Sequence, residues 1–190
     1  MQKNRLAIYD FDHTLCHSNG KVILFDKQSG KEIKQMTAAE YTEVRETNGW
    51  DPKTQDFNFD DFRGEPVDAT PIHYTIKLLK RDLVDSECNV ALITGRDELS
   101  GPKAWLKEQG IAVDKMFLMC SGNPDKKPCY ETVINTFDPE LIEIYEDGLV
   151  YIQQCIEVCK KYKVPVDAFL LSEQIIKNEE KGDISIFSYR

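Results

Sequence analysis

The chain lacks the features that are typical of proteins that span a membrane or bind long nucleic acids non-specifically. No apolar stretch in its 190 residues approaches the roughly 20 residues of a membrane span, so no membrane partner is expected. Basic residues are in the minority, with 24 Lys and Arg against 33 Asp and Glu. The resulting formal charge of −9 argues against tight, non-specific binding of long DNA. It is still compatible with action on a nucleotide or on the end of a nucleic acid.

The cysteines and the first residues predict a cytoplasmic protein. The six cysteines form no disulfide framework, and no His or Cys pair has the spacing of zinc ligands. Most of them lie in or beside apolar runs, which is typical of buried thiols. Residues 1–5 lead directly into an apolar run, so we expect no signal peptide.

Two acidic residues follow the first apolar run. Residues 6–9 are typical of a buried parallel strand, and Asp10 and Asp12 come directly after it. Open α/β sheets bind ligands at the carboxyl ends of their strands. Side chains two residues apart on a strand point to the same face, and neighbouring carboxylates resist joint ionisation. The pair therefore predicts a divalent cation, or a division of labour between a nucleophile and an acid.

Apolar runs and helical stripes alternate along the rest of the chain. Further core strands are predicted at residues 90–93, 115–119, 141–145 and 166–171. Helices are predicted at about 71–83, 99–109, 129–137 and 150–162. This alternation is typical of parallel βαβ units and predicts an α/β fold with a Rossmann-like parallel sheet. Residues 1–16 and 67–175 form the predicted catalytic core. Residues 176–190 form a tail, in which a charged linker at 177–183 precedes either an edge strand or a disordered end.

Residues 17–66 have the character of an insertion between the first strand and the first core helix. Strands at 22–25 and 32–35 predict a hairpin. Thr37 and Glu40 have the spacing of a capping box, which predicts a helix from there to about residue 47. A polar loop with a phenylalanine cluster at 57–62 follows; packing within the insertion is favoured over substrate stacking for these rings.

Polar side chains follow three later strands at the same predicted sheet edge. They are Thr94, Gly95 and Arg96, then Lys126 and Lys127, then Glu146 and Asp147. A hydroxyl, a flexible backbone and a cation are suited to binding phosphate. Asp10, Asp12 and Asp147 together offer an oxygen-rich site suited to Mg²⁺.

These motifs, in this order, resemble those of the haloacid dehalogenase (HAD) superfamily of phosphohydrolases. Asp-x-Asp-x-Thr at 10–14 is similar to the first motif, and the strand ending in Thr94 to the second. Lys127 is similar to the third, and Glu146 with Asp147 to the fourth. The resemblance covers residues 5–171, roughly, and implies a HAD-like fold in which residues 17–66 form a small cap. The Tyr-Glu-Asp form of the fourth motif is also similar to HAD domains associated with RNA repair, of the Swiss Army Knife type.

The resemblance implies a Mg²⁺-dependent phosphatase that acts through an aspartyl-phosphate. Asp10 would attack phosphorus, and Asp12 would protonate the leaving oxygen and then activate water. Mg²⁺ would be held by the Asp10 carboxylate, the Asp12 backbone carbonyl and Asp147. The phosphoryl group would be bound by Thr94, Gly95, Arg96 and Lys127.

Several assignments stay open on the sequence. Lys127 is preferred to Lys126 as the catalytic lysine, because Lys-Pro begins the corresponding helix in several family members. Arg96 either contacts substrate or braces its loop, and Glu146 either supports the metal or is a strand-end charge. The expected substrate is a nucleotide or polynucleotide end; the alternative is a sugar or other metabolite phosphate. A phosphotransferase and a catalytically silent binding module of the same fold are the remaining alternatives.

Overall fold

Strands and helices alternate through residues 4–171 and 185–190, the part of the chain that the computed structural model describes. The strands are β1 (Arg5–Tyr9), β2 (Cys16–His17), β3 (Val22–Asp26), β4 (Glu32–Met36), β5 (Gln55–Asn58), β6 (Thr70–Pro71), β7 (Cys88–Thr94), β8 (Phe117–Cys120), β9 (Leu141–Glu146), β10 (Val166–Leu170) and β11 (Ser185–Tyr189). The α-helices are α1 (Ala38–Glu46), α2 (His73–Val84), α3 (Ser100–Glu108), α4 (Lys127–Phe137) and α5 (Leu149–Tyr162). None of these helices is long and apolar enough to cross a membrane.

The central sheet has six strands in the order β11-β10-β9-β1-β7-β8. The five strands from β10 to β8 are parallel, and β11 pairs antiparallel to β10 at one edge. A mixed α/β fold with a mostly parallel sheet is therefore confirmed. Strand β1 lies between β9 and β7, which explains why its sequence is a continuous apolar run: both of its faces are covered.

Helices pack on both faces of the sheet. Leu6 and Ile8 of β1 belong to an apolar cluster that includes side chains of α4 and α5. Ala7 and Tyr9 belong to a cluster that includes side chains of α2 and α3. These four side chains are at most 1% exposed. Burial on alternate faces fixes β1 in the middle of the sheet and places Asp10 at its carboxyl edge.

The cap consists of a separate three-stranded antiparallel sheet, β4-β3-β5, and helix α1. It has its own apolar cluster, built on Val22, Leu24 and Met36. Both hydrogen bonds of the predicted capping box are present: the Thr37 side chain accepts from the Glu40 N–H, and the Glu40 side chain accepts from the Thr37 N–H. A two-residue ribbon, β2 with β6, lies where the chain leaves and re-enters the core.

Several boundaries differ from the predicted ones. The predicted loop around Phe57 is in part a strand, because β5 pairs with β3, more than 25 residues earlier in sequence. Helix α2 begins at His73, and β8 begins at Phe117 because Val113–Lys115 form a 3₁₀ turn. Strand β11 agrees with the edge-strand alternative for the tail. The predicted charged linker at 177–183 lies outside the described residues.

Candidate functional site

Three carboxylates meet at the carboxyl end of the two central strands. The Asp10 N–H continues the β1 ladder by donating to the Tyr145 carbonyl at 3.1 Å, so Asp10 lies beside the end of β9. Glu146 is the last residue of β9, and Asp147 follows it. One carboxylate oxygen from each of Asp10, Glu146 and Asp147 lies within 4.8 Å of the others. The sequence prediction contained Asp10 and Asp147 but left the role of Glu146 open.

Lys126 is the cation of this cluster. Its Nζ lies 2.6 Å from Asp10 Oδ1 and 2.8 Å from Glu146 Oε2, and its side chain is 2% exposed. The ammonium also lies 4.2 Å from the centroid of the Tyr151 ring, within the range of a cation–π contact. Its backbone N–H donates to Gln154 Oε1 at 2.9 Å, which ties the loop before α4 to α5.

The prediction of Lys127 as the lysine of the site was wrong, because its side chain points away from the carboxylates. Its Nζ pairs with Glu157 Oε2 at 2.8 Å, and its side chain is 40% exposed. The reason lies in the start of α4: Lys126 is the N-cap residue and Lys127 the first helical residue. Successive helical residues point about 100° apart, so only one of the two lysines can face the carboxylates.

Burial and mutual repulsion shape the ionisation of the cluster. The pKa of Asp10 is raised to about 7, chiefly by burial and then by the charge of Glu146. Burial also raises the pKa of Glu146 to about 8 and that of Asp147 to about 7. Although burial alone would lower the pKa of Lys126, the neighbouring Asp10 and Glu146 raise it well above its usual value. One ammonium thus neutralises the three carboxylates only in part.

Asp12 has a different partner. Its carboxylate accepts from Arg96 Nε and Nη2, each at 2.8 Å, and its Oδ1 also accepts from Ser18 Oγ at 2.8 Å. The Arg96 side chain is 1% exposed, so this is a buried, bidentate pair. Of the two interpretations of Arg96, the structure agrees with the one in which this residue braces its loop. Its guanidinium already pairs with Asp12, which corrects its assignment as a substrate-binding residue.

The same arginine links the cap to the core. Its Nη1 donates to the Phe62 carbonyl at 2.9 Å and to the Gly64 carbonyl at 3.4 Å. Gly64 has φ +68, a conformation that favours glycine. A Cβ on Gly101 would lie 1.5 Å from the Gly64 oxygen, so only glycine permits this close approach of α3. The return segment of the cap is therefore held against the loop that follows β7.

A cavity of about 600 Å³ opens above the cluster. The predicted residues Asp10, Asp12, Thr94, Gly95 and Asp147 all line it. The buried Thr94 Oγ1 accepts from the Arg96 N–H at 3.3 Å. The structure thus brings together every predicted site residue except Lys127.

Sequence reasoning missed several residues that line this cavity, among them Tyr151, Tyr41 and Arg45. Tyr151 stacks against the ammonium of Lys126, and Tyr41 and Arg45 of α1 line the cap side. Tyr151 follows the fourth motif by four residues, in the first turn of a helix that starts at the sheet edge, which is a usable signal. No comparable signal exists for Tyr41 and Arg45, because their position depends on how the cap lies over the core.

Comparison with known proteins finds a similar fold. No family model matches the chain, and no curated protein matches it. The structure is similar to that of the Legionella pneumophila effector Ceg4, crystallised with an N-terminal yeast Hog1p sequence: the TM-score is 0.56 at 16% identity, over 90% of this chain and 88% of that one. A second Ceg4 structure, with an N-terminal TEV protease cleavage sequence, gives 0.54 at 16% identity over 90% and 87%. At this identity the similarity shows the fold alone.

Proposed function

We propose that this protein is a Mg²⁺-dependent phosphatase that hydrolyses phosphomonoesters through an aspartyl-phosphate on Asp10. The observation that carries the proposal is the meeting of Asp10, Glu146 and Asp147 with Lys126 on the floor of one cavity. Their order along the chain and their positions after parallel strands match the HAD-like motifs, with Lys126 in place of Lys127. This agreement supports a HAD-like, Rossmann-like assignment of the fold and a cap formed by residues 17–66.

The donor set fits a hard divalent cation. With every group ionised, three carboxylates and one ammonium leave two negative charges in excess, and oxygen ligands are those that Mg²⁺ prefers. Asp10 and Asp147 would hold the ion with the Asp12 backbone carbonyl, and Glu146 would support it from the side that Lys126 occupies. When bound, Mg²⁺ supplies positive charge that stabilises the phosphoryl group during its transfer.

Asp10 has the position of a nucleophile. Its carboxylate attacks phosphorus, the bond from phosphorus to the ester oxygen breaks, and the phosphoryl group remains on Asp10 as an acyl phosphate. Water then attacks phosphorus, which frees phosphate and restores the carboxylate. Lys126, at 2.6 Å from Asp10 Oδ1, orients the nucleophile and places positive charge beside the phosphoryl oxygens. The hydroxyl of Thr94 and the backbone N–H of Gly95 would donate to the phosphoryl oxygens, since both residues line the cavity.

Asp12 has the position of the general acid and base, and both roles use the same proton. Its two oxygens accept hydrogen bonds from Arg96, which orient the carboxyl group, and Oδ2 can still carry a proton beside the bond it accepts. Protonated Asp12 donates this proton to the ester oxygen as the bond to phosphorus breaks, and the resulting carboxylate takes a proton from the water that attacks the aspartyl-phosphate. We therefore propose that Asp12 acts in both steps.

The experiment that tests this function is a phosphatase assay with p-nitrophenyl phosphate, with Mg²⁺ and after EDTA treatment. We expect turnover only with the metal, and an intact-mass increase of one phosphoryl group in protein quenched with acid during turnover. Full activity in metal-free buffer, with no phosphoryl adduct, would contradict the proposal. A protein that binds Mg²⁺ and turns over none of the tested phosphates would be the silent binding module instead.

The substrate class needs a second panel. We propose a nucleotide or polynucleotide end, with a sugar or other metabolite phosphate as the alternative. Nucleosides and oligonucleotides phosphorylated at the 3′ or 5′ position, compared with sugar phosphates, separate the two. Adding an alcohol acceptor and analysing the products distinguishes a hydrolase from a phosphotransferase, because only the latter forms the ester of the added alcohol in quantity.

A further inference from the structure

The cavity continues from the carboxylate cluster to an aromatic surface on the cap. This cap wall consists of Tyr41, Phe59 and Phe62, all of which line the cavity. The Tyr41 and Phe59 rings meet edge to face, with centroids 5.1 Å apart and planes at 87°. All three side chains are half-buried, so part of each ring faces the open space above the site.

The other cap aromatics are used differently. Phe57 and Trp50 pack on each other, with centroids 4.8 Å apart, and neither lines the cavity. They therefore serve as the packing that the sequence predicts for this cluster. The cap wall packs on this pair, with the Tyr41 and Phe57 centroids 4.9 Å apart, but its three members also line the cavity. Aromatic surface that lines a polar site is suited to stacking a planar ligand group.

A cation with no described ion pair lies beside the cap wall, where Arg45 Nη1 donates to the Tyr41 hydroxyl at 3.4 Å. The Arg45 guanidinium lies 5.9 Å from the centroid of Tyr41 and 5.8 Å from that of Trp50, and it lines the same cavity. Among the described side chains it forms no ion pair, whereas Arg63, the other exposed arginine of the cavity, already pairs with Asp60 and Asp97. Arg45 is thus available for an anionic group.

One buried side chain lies between Phe62 of the cap wall and Asp12. The Arg96 guanidinium pairs with Asp12 on the core side and lies 5.5 Å from the centroid of Phe62 on the cap side. A substrate that contacts both Asp10 and Phe62 therefore needs a spacer between its phosphate and its planar group. A ribose between a phosphate and a base provides such a spacer, while an aryl phosphate, whose ring is bonded to the ester oxygen, does not.

We propose that the substrate is a single nucleotide bearing two phosphate groups: one phosphate at Asp10, the base against the cap wall, and the second phosphate near Arg45. This inference rests on the proposed phosphatase function and specifies its substrate. A cavity of about 600 Å³ is in the range that encloses one small ligand. The formal charge of −9 disfavours a long polynucleotide, and base stacking on aromatic rings tolerates any of the bases.

The test compares substrates that differ by one part. Turnover is measured for adenosine 3′,5′-bisphosphate, adenosine 5′-monophosphate, ribose 5-phosphate and a phosphotyrosine peptide. We expect kcat/KM for the monophosphate to exceed that for ribose 5-phosphate by about tenfold, because the base stacks. The second phosphate should add about fivefold at low salt, and less at high salt, since the contact with Arg45 is exposed and therefore screened.

Substitutions show which residue is responsible for each gain in kcat/KM. Phe59→Leu keeps an apolar side chain and should reduce the advantage of the base, while Arg45→Gln should remove only the advantage of the second phosphate. Lys34→Gln is the matched control, because Lys34 is an exposed cap cation outside the cavity; its substrate preferences should equal those of the wild type. If Phe59→Leu fails to fold, Arg45→Gln still tests the proposal.

Binding separates this inference from the proposed function. Calorimetry with the Asp10→Asn variant and adenosine 3′,5′-bisphosphate should show saturable binding that Arg45→Gln weakens. Binding without turnover by the wild type would remove the phosphatase function and leave the nucleotide site. Turnover of p-nitrophenyl phosphate with equal kcat/KM for ribose 5-phosphate and the nucleotides, or with a preference for the phosphotyrosine peptide, would overturn the nucleotide site and leave the phosphatase function.

Discussion

Two networks of charged side chains lie at opposite ends of the central sheet, and they differ in burial and in charge balance. At the amino end, Arg5 pairs with Asp82 and Asp85, both at 3.0 Å, and with Glu143. Arg81 adds a second guanidinium, 2.8 Å from Asp82. Two cations therefore face three carboxylates. At the carboxyl end, Lys126 is the one cation among the described residues that pairs with Asp10 and Glu146, and Asp147 lies beside them.

The pKa values of the carboxylates differ between the two ends, chiefly because their burial differs. Hydrogen bonds from the Glu87 N–H and from Arg5 lower the pKa of Asp85, whereas burial raises the pKa of Asp10 to about 7. Asp82 also accepts from the Tyr9 hydroxyl at 2.6 Å. With every group ionised, the amino-end network has one negative charge in excess, and the carboxyl-end cluster has two. The larger excess at the more deeply buried end is why we propose that a cation binds there.

The largest expected effect is the loss of turnover on Asp10→Asn. An amide cannot act as the nucleophile, so we expect kcat for p-nitrophenyl phosphate to fall by about 1,000-fold or more. The free energy of unfolding should not fall, because the substitution removes one negative charge from a cluster in which three carboxylates meet one ammonium. The thermal midpoint in metal-free buffer is therefore expected to equal or exceed that of the wild type. A folded variant with substantial turnover would falsify the role of Asp10.

Replacing each lysine of the doublet tests the corrected assignment. Lys126→Met removes the one cation of the cluster and should lower kcat by about 100- to 1,000-fold. Lys127→Met is the matched control, since it removes an exposed ion pair with Glu157 and should leave kcat within about twofold, because exposed pairs contribute little. The reverse pattern would restore the interpretation from the sequence.

Local signals in the sequence predicted the core of the fold. The apolar run at residues 6–9 indicates a strand that is buried on both faces, and the capping box at Thr37 indicates the start of a helix. Both patterns depend on a few neighbouring residues. Strand β5 was missed because it lacks an apolar run and exists through its pairing with β3. Pairing over that separation is a property of the folded chain and leaves no local pattern.

The candidate site could be predicted from the sequence to the same extent as the fold. Strand-end positions placed Asp10 and Asp147 together, because the ends of neighbouring parallel strands meet at one edge. The choice between Lys126 and Lys127 depends on which residue is the cap of α4. The pairing of Asp12 with Arg96 depends on how the cap returns to the core. The first is a helix boundary that residue spacing does not fix to within one position, and the second is a contact between segments far apart in sequence.

The amino-end network should respond to the same substitution in the opposite way. Asp82→Asn removes the buried negative charge beside Arg5 and Arg81 and leaves one acceptor oxygen in place of the two that Arg5, Arg81 and Tyr9 use. We expect a loss of about 3 kcal/mol in the free energy of unfolding, since one partner of a buried pair is removed. Turnover per folded molecule should be unchanged, because the network lies at the far end of β1. Urea denaturation measures the free energy of unfolding, and kcat per active site measures turnover. A loss of kcat without a loss of stability would show that the amino-end network supports catalysis and is not separate from the carboxyl-end cluster.

The smallest expected effect is a pH dependence of stability that arises at the carboxyl end. Carboxylates in the unfolded chain titrate near pH 4, whereas burial raises the pKa of Asp10 and Asp147 to about 7 and that of Glu146 to about 8. Between pH 5 and 8 the folded state therefore binds more protons than the unfolded state, so stability falls as the pH rises.

Melting curves in EDTA should show this fall, by about 4 °C between pH 5 and pH 8, which corresponds to about 1–2 kcal/mol for a chain of this size. Mg²⁺ binds the ionised carboxylates, so its stabilisation should be larger at pH 8 than at pH 6. In Asp82→Asn the slope should persist, because that variant leaves the cluster intact; in Asp10→Asn it should be shallower. A slope that Asp10→Asn leaves unchanged would place its origin outside the carboxylate cluster and remove the charge imbalance that sets this end of the sheet apart.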